Sequence, residues 1–504
     1  MPDLMSLPDE MLHQICVLIS DTCRVMLFDV SRLNKRFHRI VSTLLIRHWP
    51  IRRWSHGQIA PARFALHLLH YPHLRDHVKS LVLDPIALFR DDDYEKVALD
   101  LEEMRELTVA AQDELPEMAD SSSWCDELRQ GGVDSIAALL LLWCTRLTHL
   151  DLVFPDFWPE IDENFFVLRF VTQMVNKLVA KGLQKPLRFH PLAKLRCVVL
   201  RGWNADISVP GQYAAPFFHL PKLKTLVGDG LGSCWPSQPL LSVGDDDTYD
   251  SDAESLPGPE YHSEARLRRD RYLSLFPIGI SPVEELILED LNLGFSGLFT
   301  LVRACRRLKK LVLMSDCYSM KVNGDNEHFL ILSILHHSES LEELVLRLYE
   351  YKVGEAEEPV HGPMNLEDCF KDLHHLKRLT IDIEFLYPIG HAENGEIILD
   401  RLPPLLEHLR FEWEPSSPVS TPVDAQQKYI GDFQKLLKEC GQYGHLSRLK
   451  SLDLSWATDD CSLIQGLDQL KMIPEEKGVR LHFGSWGSRG PYPPSVPEPN
   501  PPLP

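Results

Sequence analysis

A short segment of the form L-x-x-L-x-L recurs along this chain, and no other feature restricts the possible folds as strongly. Ten copies begin at Val78, Leu147, Leu195, Leu223, Val283, Leu308, Leu341, Leu376, Leu406 and Leu449, among them VEELIL, LKKLVL, LEELVL and LKSLDL. Alternating apolar positions in so short a run predict a strand. The last six copies lie 25 to 43 residues apart, whereas the first two are separated by 69, so the repeat is real but irregular. Helical patterns fill the gaps at Ser135–Arg146, Asn164–Gly182, Phe299–Arg307, His328–His337, Leu366–His375 and Tyr429–Cys440. Strand alternating with helix requires crossover connections, hence parallel strands, and repeats that cannot bury their leucines alone must stack. The expected fold class is therefore α/β. A parallel sheet forms the concave side of a solenoid over residues 77–484 and helices form its convex side.

Residues 6–49 follow a different pattern, with three amphipathic helical stretches and short breaks between them. Pro8, Asp9 and Glu10 suit a helix start, where an N–H is unpaired anyway and the dipole favours anions. Leu12, Ile15, Cys16 and Ile19 form one apolar stripe, which Met11 and Leu18 widen to more than half of the circumference. Phe37, Ile40, Val41, Leu44 and Leu45 form another. About 45 residues are close to the size at which a lone core is insufficient, so spare apolar surface here calls for a neighbour or a partner. From Ser31 to Arg53 there are seven basic residues and no acidic one.

Leu7-Pro8-Asp9-Glu10, then Leu12, Ile15 and Leu18, then Val30-Ser31-Arg32-Leu33-Asn34-Lys35-Arg36-Phe37, and finally Leu44, Leu45 and Trp49 resemble the F-box. The repeats that follow resemble a leucine-rich-repeat domain, and the pairing resembles F-box/leucine-rich-repeat substrate receptors of a sort common in fungi. The resemblance implies docking on a Skp-type adaptor, and through it a cullin, by Leu7, Pro8, Leu12, Ile15, Leu33 and Phe37. The implied activity is substrate recognition for a ubiquitin ligase, with catalysis in the partners. A non-catalytic scaffold, its helices merely capping the repeats, is the alternative.

The implied domain plan is 1–54 F-box-like, 55–76 a helical linker, 77–484 repeats, and 485–504 a Pro-rich tail with eight prolines in its last fourteen residues. An acidic insert at about 240–265 contains DDDTYDSDAE and is expected to be disordered, as is the tail. Residues flanking the strand leucines should form an exposed row: Glu285, Ile287, Glu289; Lys310, Val312, Met314; Glu343, Val345, Arg347; Arg378, Thr380, Asp382; His408, Arg410, Glu412. Glu285, Lys310, Met314, Arg347, Arg378 and Arg410 are the candidate contacts to a protein substrate. With 52 basic against 73 acidic residues, a net charge of −21 disfavours nucleic acid and anionic membrane as partners.

Catalytic signatures are missing from the pattern. Gly228-x-Gly230-x-Gly232 lacks the third glycine spacing of a dinucleotide turn, and Gly294-Phe295-Ser296-Gly297 is one residue short of a nucleophile elbow. Pro72 interrupts the helix that would align His67, His70, His73 and His77 as metal ligands. The 11 cysteines form no C-x-x-C pair, the longest apolar run is Ile136–Cys144, and the first residues are acidic. A soluble cytoplasmic or nuclear protein with no metal or cofactor is expected.

Overall fold

A computed structural model of the chain describes residues 4–22, 25–50, 59–83, 99–114, 122–129, 132–154, 166–180, 191–202, 209–232, 276–290, 295–315, 324–348, 366–382, 401–412, 422–440, 444–454, 466, 470–472 and 478–483. The acidic insert, its Ser251 and the Pro-rich tail lie outside them. The chain divides into two compact units. The first comprises Met1–Ile207, His219–Lys224 and Tyr492–Pro504, and the second comprises Ser208–Phe218 and Thr225–Pro491.

The fold is α/β, with a parallel sheet of twelve strands. Ten of them are the ten L-x-x-L-x-L copies, each strand opening two residues after the first leucine position. In the first unit β1 (His48–Pro50), β2 (Ser80–Leu83), β3 (His149–Phe154) and β4 (Cys197–Gly202) pair in that order, all parallel. A short parallel pair, β5 (Val209–Pro210) and β7 (Leu231–Gly232), accompanies the second unit. Its main strands β6 (Thr225–Asp229), β8 (Glu285–Glu289), β9 (Lys310–Ser315), β10 (Glu343–Leu348), β11 (Arg378–Asp382), β12 (His408–Glu412), β13 (Ser451–Leu454) and β14 (Arg480–Phe483) also run parallel in sequence order.

The leucine positions explain this order. Leu81, Leu150, Leu226, Leu286, Leu311, Leu344, Leu379, Leu409 and Leu452 occupy equivalent strand sites and are buried, as are the residues two places on, such as Leu288, Leu313 and Leu346. A one-residue slip in any strand would turn this whole set to the other face. Among the described residues eight α-helices of eight or more residues lie between or beside the strands beyond β1, and five of them overlap predicted helical patterns. In the first unit α4 (Ile59–His70), α5 (Leu101–Glu114), α6 (Ser122–Arg129), α7 (Val133–Trp143) and α8 (Phe166–Ala180) fill the gaps, with α4 on α7 and α7 on α8. The buried Asp134 carboxylate accepts the Val167 N–H at 3.0 Å, capping the start of α8 from the neighbouring helix. In the second, α9 (Phe295–Ala304) packs on α10 (Gly324–Leu335), and α11 (Pro422–Lys438) covers Phe411 with Phe433. Leu366–His375, expected as an α-helix, is instead a 3₁₀ turn at Glu367–Asp372.

The glycine-rich stretch has a packing reason. A Cβ on Gly228 would run into the Leu231 side chain, and Gly230 has φ 72°, the left-handed region. Its N–H donates to Glu289 O at 2.9 Å and its carbonyl accepts from Val209 N at 2.7 Å. It therefore joins β6 to β7 and seats β5 beside them. The register-equivalent residue after β8, Asp290, also has a left-handed φ of 47°.

Candidate interaction surfaces

The N-terminal helices α1 (Asp9–Thr22), α2 (Val25–Leu33) and α3 (Lys35–Leu45) belong to the first unit, and α1 and α2 both pack on α3. Their core is Leu12, Cys16, Leu27, Phe37, Ile40, Val41 and Leu44, with Leu7, Val17, Ile19, Val30 and Leu45 around it. Asn34 caps α3 by accepting the Phe37 N–H at 2.9 Å. Asp9 ties α1 to α3: its carboxylate accepts from Arg36 Nε at 2.6 Å and from Arg39 Nη2, and Arg36 also donates to Leu7 O at 2.6 Å. The Arg36 hydrogen bond, with the charges of Arg36 and Arg39, outweighs partial desolvation and holds the Asp9 pKa below the usual carboxylate range. Part of the basic run is thus neutralised within the helices.

The sequence-predicted adaptor residues separate into two kinds. Leu12 and Phe37 are 0% and 4% exposed, so they support the surface from inside and cannot touch a partner. This corrects their assignment as contacts; the reason is that α1 and α2 both close over α3, and these are its inward positions. Leu7 and Ile15 are half-buried, while Pro8 is exposed. Leu33 is 65% exposed. The sequence reading did not single out Met11, Leu18, Met26 and Phe28 as contacts, yet they are 49%, 66%, 52% and 53% exposed. Met11, Ile15 and Leu18 follow i, i+4, i+7 on α1, and Met26, Val30 and Leu33 repeat that spacing on α2. Each helix therefore buries one apolar stripe and presents another. The excess apolar circumference of α1 signalled this.

The second unit contributes the strand rows. Register places Thr225, Glu285, Lys310, Glu343, Arg378, His408, Ser451 and Arg480 side by side, one per strand. Thr225 donates to Glu285 at 2.9 Å, Glu343 pairs with Lys310 at 2.9 Å and Arg378 at 2.6 Å, and His408 Nδ1 meets Ser451 Oγ at 2.7 Å. Burial draws the Glu343 pKa upward, but Lys310 and Arg378 outweigh it and hold it below its ordinary value. Among the candidate substrate contacts, Glu285, Lys310 and Arg378 share this row, and Met314 and Arg347 are register partners further along. Arg410 stands in a separate row, paired with Glu412 at 2.6 Å and Asp453 at 3.8 Å. The expected exposure needs correction at Ile287, Val312 and Glu412, which are 0%, 2% and 9% exposed. Short β-branched side chains between rows of long charged ones, about 7 Å apart along a strand, are screened from water by those arms.

Among the described residues no three His, Cys, Asp or Glu side chains lie close enough to hold a metal ion, and no helix is long and apolar enough to cross a membrane. The described cysteines are buried and unbridged, and burial pushes the Cys305 thiol up to about 12. In comparisons with known proteins, no family model matches the chain and no curated protein matches it.

Proposed function

We propose that this chain is the substrate-recognition subunit of a Skp–cullin–F-box type ubiquitin ligase. The N-terminal helices dock on the adaptor, and the strand repeats, stacked as a leucine-rich-repeat solenoid with a concave sheet, hold a protein client. Transfer would take place on the partners, and this chain would supply proximity and orientation. The observation that carries the reading is the apolar set left exposed by a helical segment whose core is already complete: Met11 and Leu18 on α1, Met26, Phe28 and Leu33 on α2. Singly exposed apolar residues are ordinary, whereas stripes repeated at helical spacing on two adjacent helices mark an interaction site. The test is co-purification with a Skp-type adaptor. Leu18→Asp with Phe28→Asp should abolish it while the thermal transition persists; undiminished co-purification would remove the adaptor reading.

One observation favours the scaffold alternative. The chain passes from α3 directly into the sheet, with Arg47 O accepting from Lys79 N at 2.7 Å and Ser80 N at 3.1 Å, and β1 lies inside the stretch assigned to the helical domain. Helices so joined can serve as a cap. A cap requires no second chain, so the same co-purification decides between the readings.

A further inference from the structure

Position along the strand organises the charges of the second unit. At the sheet edge where the strands begin, the residue just before each strand reads Glu284, Lys309, Glu342, Lys377, Glu407, Lys450 from β8 to β13. Signs alternate there, and Lys309 meets Glu284 at 2.8 Å, Lys377 meets Glu342 at 2.8 Å and Lys450 meets Glu407 at 2.5 Å. The next residue on, the first of each strand, follows another order at the β11–β14 end. Register places Arg378, His408, Ser451 and Arg480 side by side, about 4.8 Å apart from strand to strand.

His408 Nδ1 lies 2.7 Å from Ser451 Oγ, so these two short side chains form one hydrogen-bonded unit between two guanidinium arms. Arg378 and Arg480 are exposed, His408 is half-buried and Ser451 is 9% exposed. Burial lowers the His408 pKa; the charge of Glu407 opposes that shift, and those of Arg378, Lys450 and Arg480 reinforce it. The imidazole is therefore mostly neutral at pH 7. A neutral imidazole has one N–H and the serine one O–H. One of these two donors is used between the pair and one is left to face outward; protonation of the ring makes it two. Neighbouring positions of the same face are already engaged: Arg378 meets Glu343 at 2.6 Å, Glu343 also meets Lys310 at 2.9 Å, and Arg410 meets Glu412 at 2.6 Å and Asp453 at 3.8 Å.

We propose that the His408–Ser451 pair, with Arg480 beside it, binds the side-chain carboxylate of one acidic residue in an extended client segment. This deepens the receptor reading and rests on it for the assignment of the segment to a client. The Arg480 fork matches the two oxygens of a carboxylate, and the pair adds its outward donor. An anion beside the imidazole favours the charged ring, so His408 takes up a proton from solvent on binding and the pair then offers two donors. A single negative charge fits better than a phosphoryl dianion. Arg378 and Lys450 already serve Glu343 and Glu407, so the charge turned to the ligand is that of Arg480 and, after proton uptake, His408. The same row continues through Arg378, Glu343 and Lys310, a polar path for a chain that passes on rather than ends at the site.

The test is fluorescence anisotropy on the full chain with a labelled, end-capped twelve-residue peptide carrying spaced Glu residues, and with three analogues: Gln for Glu, phosphoserine for Glu, and Gln for Glu with a free C-terminal carboxylate. The Glu peptide should bind, the two Gln peptides should not, and the phosphoserine peptide should bind no more tightly at pH 7. Arg480→Gln should weaken binding about tenfold, as for loss of one charge-assisted hydrogen-bonded contact. Lys309→Gln, in the strand-start row, should change it less than about twofold. Proton uptake makes affinity rise as pH falls through the raised bound-state pKa of His408, on the order of fivefold between pH 7.5 and 5.5, and His408→Gln should reduce that rise to less than about twofold. If Arg480→Gln unfolds the chain, Arg480→Lys, which keeps the charge and loses the fork, carries the test with a loss of about threefold. Equal binding of Glu and Gln peptides, indifference to the Arg480 substitutions, a tighter phosphoserine peptide, binding restored by the terminal carboxylate alone, or a pH dependence undiminished in His408→Gln would each overturn the proposal. Adaptor co-purification is scored separately, so failure here leaves the receptor reading standing, and failure there leaves the carboxylate site.

Discussion

Leu18 and Leu33 offer a quantitative separation of folding from docking. They are 66% and 65% exposed, so cutting both to Ala removes little that the folded chain buries. Exposed helix positions tolerate Ala with changes within about 0.5 kcal/mol. If a partner covers both side chains, each Leu→Ala forfeits three carbons at about 0.8 kcal/mol per buried methylene, scaled by the two-thirds of the side chain now open to water. That gives about 1.6 kcal/mol each and about 3 kcal/mol for the pair, on the order of a hundredfold in Kd. Leu12→Ala is the contrast. With Leu12 wholly buried in the helical core, it should cost about 2–5 kcal/mol of folding stability. Calorimetric titration of a Skp-type adaptor into wild type and the double variant, with a denaturant melt of each, reads both quantities. The reasoning is refuted if the double variant binds within threefold of wild type, or if its melt shifts as much as that of Leu12→Ala.

Three further outcomes follow from single contacts. Gly230→Ala places a Cβ in left-handed backbone and should cost about 1–2 kcal/mol in a denaturant melt; an unchanged midpoint would show that the β6–β7 turn relaxes freely. Glu343→Gln removes the anion between Lys310 and Arg378 and should cost about 1–2 kcal/mol at pH 7, with the deficit shrinking as pH falls through the depressed range in which the wild-type carboxylate takes up its proton; a constant deficit across pH would sink the charge argument. His337 donates from Nε2 to Val302 O at 3.0 Å, and burial lowers its pKa despite that bond. The unfolded chain therefore takes up the proton first as pH falls through about 6.5, so stability present above that pH is lost on acidification through the lower folded value. Wild type should lose more melting temperature between pH 7 and 5 than His337→Leu does, since every other titrating group is common to both, and parallel slopes would contradict this.

Strand and helix placement was legible because the leucine spacing carries both period and register. Besides the short pair β5 and β7, two strands of the main sheet escaped. β1 is only His48-Trp49-Pro50, with no repeat around it, and β14, in Val479-x-Leu481-x-Phe483, lacks the first leucine. Their sheet positions follow from parallel pairing with β2 and β13, a tertiary fact that no local pattern contains. The docking surface was half legible. Apolar spacing identified α1 as doubly apolar but could not say which stripe faces inward, because that depends on how α1 and α2 close over α3; hence the expected contacts include the buried Leu12 and omit the exposed Met11.

Charge on the second unit's strand edge follows from parallel stacking. Parallel stacking forces equivalent residues to within about 5 Å of one another, so a strand edge bearing charge must alternate in sign or bear the repulsion of a single one. Alternation in the second unit gains little per exposed pair, on the order of 0–1 kcal/mol each, but it removes that repulsion and leaves no net field. The exposed apolar stripes of α1 and α2 are the contrasting case: the helical core closes without them, and only the receptor reading proposed above gives them something to bury against.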